Sequence, residues 1–329
     1  MPIASALWRA TFCPHISLVR IYRGLPLLAD GPVALTIGNF DGVHRGHQAM
    51  LSRLCEAADD LALPSAVLTF DPHPREFFAR ELAPPRLTGR RQKLELFKTI
   101  GVARTYIARF DATLAQLSPD AFIEDILVRR LAIRWVLVGD DFRFGKARAG
   151  DLAALRRRAA TYSVEAMHAV EVGNVRVSST AVRDALTSGN LDHAAALLGR
   201  PFAISGHVAH GEKIGRNLGF PTANIPLRHP PPLAGIFAVR VHGLGSAAHP
   251  GVASLGVRPT IRAGGKPLLE VFLLDFDANI YGRRVTVEFL RKLRDEAKYD
   301  NLDALKRQIG ADVVQARDYF ALPHPAMAS

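Results

Sequence analysis

The chain of 329 residues has only two cysteines, Cys13 and Cys55, too few for a disulfide framework and without metal-ligand spacing. A reducing compartment fits that usage. No apolar run reaches transmembrane length, and Arg9, His15, Arg20 and Arg23 interrupt any secretory core near the start. A cytoplasmic location follows by elimination. Internal repeats are missing as well. Acidic residues are outnumbered, 31 against 42 basic, for a net charge of +11. The excess divides almost evenly between residues 1–187 and 188–329, with no basic tail and no arginine stripe. Arg156-Arg157-Arg158, the one dense run, lies in an Ala- and Leu-rich helical pattern and reads as a solvated helix face. A nucleic-acid-binding protein would show a basic patch with interleaved aromatics, and neither half has one.

What is present is apolar residue in quantity, 48% of a chain long enough for two cores. From about Val19 to Leu186, short apolar strands alternate with amphipathic helices, the pattern of a parallel α/β sheet. Strands are expected at Val33–Ile37, Ser65–Phe70, Thr105–Ala108, Trp135–Val138 and Val164–Val170. Helices are expected from His47 to about Leu61, then at Arg90–Ile100, Pro119–Leu131, Asp151–Ala160 and Ser178–Ser188. After a short helix at Leu191–Leu198, strands follow without helices between them: Phe202–His207, Ile236–Val241, Gly251–Leu255, Glu270–Leu274 and Arg284–Leu290. That spacing predicts a small antiparallel β-barrel. A terminal helix, Leu302–Tyr319, has one apolar face to lay on it, and the tail from Leu322 is expected to be disordered. The domains are drawn at 15–187 and 202–321, joined by a linker at 188–201.

The chemistry gathers where the strands of the first half end. Leu35 to His47 is an apolar strand that breaks into Gly38-Asn39-Phe40-Asp41-Gly42-Val43 and resumes as a helix at His44-Arg45-Gly46-His47. A glycine-rich strand-to-helix turn is an anion site, because unpaired backbone N–H groups and the helix dipole point there. Two histidines add side-chain donors that can follow negative charge on phosphorus. Asp71-Pro72-His73-Pro74 is stiffened by two prolines that hold Asp71 and His73 outward. Gly139-Asp140-Asp141 offers carboxylates to a ribose or a magnesium ion. Ser178-Ser179-Thr180 puts three hydroxyls at a helix start, with Arg183 one turn in. Capping explains one hydroxyl; three with an arginine suit a triphosphate.

The His44-x-Gly46-His47 turn resembles the signature of the nucleotidyltransferase superfamily. With Phe70-Asp71-Pro72-His73-Pro74, Gly139-x-Asp141-Phe142-x-Phe144-Gly145 and Ser178-Ser179-Thr180-x-x-Arg183, the region resembles the N-terminal FMN adenylyltransferase module of bacterial FAD synthetases. The resemblance implies in-line attack of an FMN phosphate oxygen on the α-phosphorus of ATP. An ionised phosphate demands no general base, so positioning and charge stabilisation should suffice. It implies Gly38, Asn39, Phe40, His44, His47 and Asp141 toward ATP, Ser179, Thr180 and Arg183 toward its triphosphate tail, and Asp71 and His73 toward the flavin.

In the second half, Gly211, Gly215 and Gly219 accompany Lys213 and Arg216, a combination that can wrap phosphates. Thr222 and Asn224, two apart on an extended segment, point the same way and offer hard oxygens to Mg²⁺. This stretch, centred on Pro221-Thr222-Ala223-Asn224, is similar to the riboflavin kinase signature. The similarity continues through Gly235–Val239, Gly256-Val257-Arg258-Pro259-Thr260, Leu269-Glu270-Val271, Tyr281-Gly282 and Leu293-Arg294-Asp295-Glu296. It implies ATP at Gly211, Lys213, Gly215 and Arg216, Mg²⁺ at Thr222 and Asn224, Glu270 as base on the riboflavin 5′-hydroxyl, and Arg294 against the flavin. A neutral alcohol, unlike an ionised phosphate, benefits from a positioned carboxylate.

Two residues depart from the usual pattern. Ser254 stands where relatives commonly carry asparagine, and Phe272 where they often carry histidine. Neither alters the metal or base assignments, and both are positions where flavin affinity or kinase rate could change. The resemblance as a whole implies bifunctional flavin cofactor synthesis from riboflavin, FMN and ATP, with no nucleic-acid or membrane partner; a homo-oligomer is compatible with it. Retention of one activity, with the other domain regulatory, is the alternative that intact motifs in both halves argue against.

Overall fold

The computed structural model describes residues 19–211, 219–257 and 267–321. Lys213, Gly215, Arg216, Arg258-Pro259-Thr260 and the tail from Leu322 lie outside them. The chain divides into two compact units, residues 1–84 with 90–177, and residues 85–89 with 178–329.

The first unit is a six-stranded parallel sheet. Its strands are β1 (Arg20–Arg23), β2 (Val33–Ile37), β3 (Ser65–Asp71), β4 (Arg104–Arg109), β5 (Ile133–Gly139) and β6 (Ser163–Met167). Their order is β1-β4-β3-β2-β5-β6. Between them run α1 (Arg45–Asp60), α2 (Pro74–Phe78), α3 (Arg90–Ile100), α4 (Ala112–Ala115), α5 (Pro119–Ala121) and α6 (Leu152–Arg157). A small hairpin, β7 (Glu171–Val172) and β8 (Val175–Arg176), follows. Strand β2 is buried throughout, and its alternation serves two cores. Val33, Leu35 and Ile37 face Phe122, Ile126 and Leu127 on one side. Ala34 faces Leu51 and Leu54 of α1 and Phe97 of α3 on the other. Helices cover both faces because neither face of β2 is polar.

The regular helix expected at Pro119–Leu131 is instead α5 followed by a π-helical stretch, Phe122–Arg130. Phe122, Ile123, Ile126 and Leu127 of this stretch are buried against the sheet. Strands β2 and β5 are neighbours, and the chain leaves them toward opposite edges of the sheet. Their carboxyl ends therefore form a topological switch point, where open α/β sheets bind ligands.

The second unit begins with α7 (Ser179–Thr187) and α8 (Leu191–Leu198), the latter closed by Gly199 in the left-handed region at φ 74°. The strands β9 (Phe202–His207), β10 (Thr222–Pro226), β11 (Gly235–His242), β12 (His249–Val257), β13 (Pro267–Leu273) and β14 (Arg284–Arg294) follow. All pairings are antiparallel, in the order β10-β13-β12-β11-β14-β9. Just beyond β9, the Ala209 N–H donates to the Asn224 carbonyl at 2.8 Å, bringing the two edges together into a half-barrel. One face of the sheet is covered by α9 (Leu302–Phe320): Ile236, Ala238 and Val252 pack with Val313 and Ala316.

A buried ion pair fastens that helix. The Arg294 guanidinium donates through Nε and Nη2 to the two oxygens of Asp312, both at 2.7 Å, and Gln308 donates to the same carboxylate at 3.0 Å. The Asp312 side chain is 3% exposed. Removing one partner of such a pair strands the other as a buried charge. Arg294→Met should accordingly lower the stability of the second unit by about 3 kcal/mol in urea or thermal unfolding. A loss below about 1 kcal/mol, the scale of an exposed pair, would contradict this reading.

Candidate active sites

In the first unit the turn between β2 and α1 is held in conformations that most side chains avoid. Phe40 has φ 50° and Val43 has φ 41°, with Gly42 at 87° between them. A β-branched residue in the left-handed region is strained, and surrounding contacts must impose it. Phe40 is 1% exposed and meets Phe97 edge-on at 5.4 Å, and the Gln48 amide donates to the Val43 carbonyl at 2.7 Å. A Cβ on Gly38 would stand 3.1 Å from the Phe40 ring, so glycine there permits the fold-back.

His44 is the N-cap of α1, its Nδ1 accepting from the His47 backbone N–H at 3.3 Å. A nitrogen that accepts carries no proton, so neutral His44 has its hydrogen on Nε2. The two imidazoles stack at 3.6 Å with 17° between their planes. His47 Nδ1 is buried with no hydrogen-bond partner among the described residues. Burial first, then the charges of His44 and Lys93, hold the His47 pKa well below the histidine value of 6.5. The neutral imidazole of His47 is favoured accordingly. Asn39 Oδ1 is likewise buried and unpartnered among the described residues.

The other residues expected at this site are placed as follows. Asp71 ends β3 and accepts from Arg90 Nη1 at 3.1 Å. His73 caps α2: its Nδ1 accepts from the Arg75 N–H at 3.1 Å, while Glu76 reaches back to the His73 N–H at 3.3 Å. Its ring therefore has a structural duty that the reading of Asp71–Pro74 as a rigid turn overlooked. Asp141, beyond β5, pairs with Arg176 of the β7–β8 hairpin at 2.5 Å. Ser179, Thr180 and Arg183 lie on α7, in the second unit. Ser178 supplies the capping bond to the Ala181 N–H at 3.1 Å, and Arg183 Nε donates to the Pro85 carbonyl at 2.7 Å.

Sequence reasoning missed an aromatic group beside Asp71. Phe70, Phe77, Phe78 and Phe110 meet edge to edge at 5.2–5.8 Å. Phe78 is 68% exposed. The Phe77-Phe78 pair next to two prolines was the available signal.

In the second unit, strand register gathers the expected residues. Asn224 of β10 is the Cα partner of Glu270 of β13, which is also partnered with Ser254 of β12; Ser254 in turn faces Ile236 of β11, and Ile236 faces Arg294 of β14. Residues directly opposite share a face, so these five form one row across the sheet. Thr222 and Phe272 form the neighbouring pair on that face. Ser254 and Phe272, the two departures from the usual pattern, are thus the cross-strand partners of Glu270 and Thr222.

Asn224 is 7% exposed and donates through Nδ2 to the Thr222 carbonyl at 3.2 Å. That bond fixes the amide's orientation and leaves Oδ1 buried without a partner among the described residues. A Cβ on Gly211 would sit 2.7 Å from this oxygen, so glycine keeps the place clear. Glu296 packs against Gly256; burial raises its pKa, Arg294 opposes the shift, and the charge of Glu270 adds to it. Glu296 thus stands within electrostatic reach of Glu270. Arg294 itself, expected at the flavin, has its fork on Asp312 and its Nη1 on the Asp295 carbonyl at 2.9 Å. Among the described residues no group of three or more His, Cys, Asp or Glu could hold a metal, and no helix is long and apolar enough to cross a membrane.

Comparison with known proteins gives two family matches. FAD synthetase matches residues 28–181 and riboflavin kinase matches residues 198–320. The bifunctional riboflavin kinase/FMN adenylyltransferase of Escherichia coli (strain K12) is 46% identical over 314 residues, 94% of this chain and 100% of that protein. The protein of the same description from Pseudomonas fluorescens is 49% identical over 305 residues, 91% of this chain and 97% of its own. A crystal structure from Streptococcus pneumoniae, described as a macrolide-efflux protein, matches with a TM-score of 0.77 at 28% identity, covering 91% of this chain and 99% of that one.

The buried environment of His47 has a measurable consequence. NMR titration should find its imidazole still neutral where an ordinary histidine, near 6.5, is half protonated. Since the folded pKa lies below the unfolded one, the unfolded chain takes up the proton first as pH falls. The contribution to stability is complete above the ordinary histidine range and is lost progressively as the pH falls from there toward the lower pKa of the folded state. A midpoint at or above 6.5 would refute the assignment.

Proposed function

The chain belongs to the bifunctional riboflavin kinase/FMN adenylyltransferase family, and on that premise we propose how its residues divide the work of phosphorylating riboflavin and adenylylating FMN. Both reactions are ATP-dependent transfers. The kinase assignment rests above all on the row in which Asn224, with an unpartnered buried oxygen, lies opposite Glu270.

Thr222 and Asn224 would hold Mg²⁺, since Asn224 Oδ1 is a hard, neutral oxygen with no other partner described and Thr222 lies two residues away on the same face. Such an ion neutralises charge on the ATP phosphates. Glu270 takes the proton from the riboflavin 5′-hydroxyl as its oxygen bonds to the γ-phosphorus and the bond to ADP breaks. Gly211 keeps the approach to Asn224 clear, and Lys213, Gly215 and Arg216 are assigned to the phosphates. Arg294 acts at one remove, by seating α9 on the face that bears Glu270.

In the first unit an FMN phosphate oxygen attacks the α-phosphorus of ATP, and the bond to the departing pyrophosphate breaks; no proton needs to be removed. Support comes from the switch point, where the β2 turn and the end of β5 leave neighbouring strands. Gly38, Asn39, Phe40, His44, His47 and Asp141 are assigned to ATP, with Ser179, Thr180 and Arg183 for its tail. Asp71 and His73 are assigned to the flavin, and exposed Phe78 with Phe77 offers its ring system an apolar wall.

With both reactions on one chain, each checks the folding of the other. Glu270→Ala and Gly211→Ala should each lower riboflavin phosphorylation at least about 100-fold while FMN adenylylation stays within about twofold. His47→Asn should do the reverse. Chromatography of the flavins formed from riboflavin, or from supplied FMN, with ATP and Mg²⁺ reads both. Joint loss of both activities in any of these variants would sink the division of labour.

A further inference from the structure

The β2–α1 turn is braced by one stripe of α3. Arg90, Lys93 and Phe97 are spaced three and four apart, so they share a face of that helix. Each meets a part of the candidate adenylyltransferase site: Arg90 donates to Asp71 at 3.1 Å, Lys93 Nζ donates to the Asn39 carbonyl at 2.5 Å, and Phe97 lies edge-on to Phe40 at 5.4 Å. Phe97 is 1% exposed, which anchors the helix and fixes where Lys93 stands. We propose that Lys93 is a catalytic residue of FMN adenylylation, adding positive charge beside His44 and His47 against the negative charge that builds on the α-phosphate during transfer.

His44 is buried, and half-buried His47 stacks on it with its Nδ1 inward. Rings 3.6 Å apart disfavour positive charge on both at once, so the pair brings hydrogen bonds and at most one charge, to which Lys93 adds another. The ammonium of Lys93 is close enough to depress the protonation of His47. An anion bound at His47 therefore lies within the same field, with the opposite sign of interaction. The bond to the Asn39 carbonyl orients its stem toward the turn. No sequence motif singles Lys93 out, because it lies 46 residues beyond His47, inside an ordinary amphipathic helix.

The inference rests on the proposed seating of the ATP phosphates at His44 and His47. Its test compares Lys93→Gln, Lys93→Arg and His47→Asn in the full chain, measuring kcat and KM for FMN adenylylation, riboflavin phosphorylation by the same preparation, and thermal unfolding. Lys93→Gln retains an N–H donor but no charge, and it should lose about 100-fold in kcat with KM for FMN little changed. Lys93→Arg should recover most of that loss, and riboflavin phosphorylation should be unaffected in both. If Lys93→Gln works within about threefold of the wild type while His47→Asn is inactive, the lysine only braces the turn and the proposal is wrong. Near-normal adenylylation by His47→Asn would overturn the seating of the phosphates instead. Equal losses in Gln and Arg variants, accompanied by lower unfolding temperatures, would also overturn the proposal by making Lys93 structural.

Discussion

The turn from β2 into α1 exists only because its neighbours outweigh the strain within it. Phe40 and Val43 occupy a backbone region costly for their side chains, at about 1–3 kcal/mol each. The compensation comes from a distance in sequence: Phe97 seals Phe40, Lys93 holds the Asn39 carbonyl, and Thr69 donates to the same carbonyl at 3.4 Å. What the strain secures is the start of α1, with His44 as cap and His47 stacked on it. A relaxed turn would deliver neither the stacking nor the buried nitrogen. The chemistry of this unit thus depends on the packing of α3, an element with no recognisable motif.

The second unit solves the same problem differently. Its candidate site residues come from separate strands, and antiparallel register sets them side by side. Asn224, Glu270 and Ser254 need no special backbone geometry, only the correct pairing of β10, β13 and β12. The face they occupy continues into the apolar patch beneath α9, so the helix that shields the core also borders the row of polar residues. The Arg294–Asp312 pair belongs to that arrangement: it fixes the helix to the strand at the end of the same row.

Much of this was legible in the sequence, for identifiable reasons. Arg90–Ile100, Leu191–Leu198 and Phe202–His207 begin and end where expected because glycine, proline or capping residues flank them. The strand ends bearing Gly38, Asp71 and Asp141 stood out because polar residues interrupt apolar runs. Other features had no local signature. The π-helical stretch has the composition of an ordinary helix, and β1 is a short edge strand, half polar. The cap formed by His73 depends on Glu76 three residues on, which the prolines obscured. Lys93, the partnership of Asp141 with Arg176, and the adjacency of Ser254 to Glu270 are long-range facts, set by the stacking of elements and inaccessible to any window of sequence.

The alternation along β13 carries a further meaning. Leu269, Val271 and Leu273 are buried, whereas Leu268, Glu270 and Phe272 lie partly open on the opposite face. Parity alone therefore separates scaffold from chemistry: neighbouring positions on this strand answer to different demands, one to volume and one to charge. A slip of a single residue would turn Glu270 into the apolar interior and put Val271 on the face that Glu270 left. The strand thus couples two properties that proteins more often distribute between core and loops. It cannot be mispaired and still leave a stable but inactive protein.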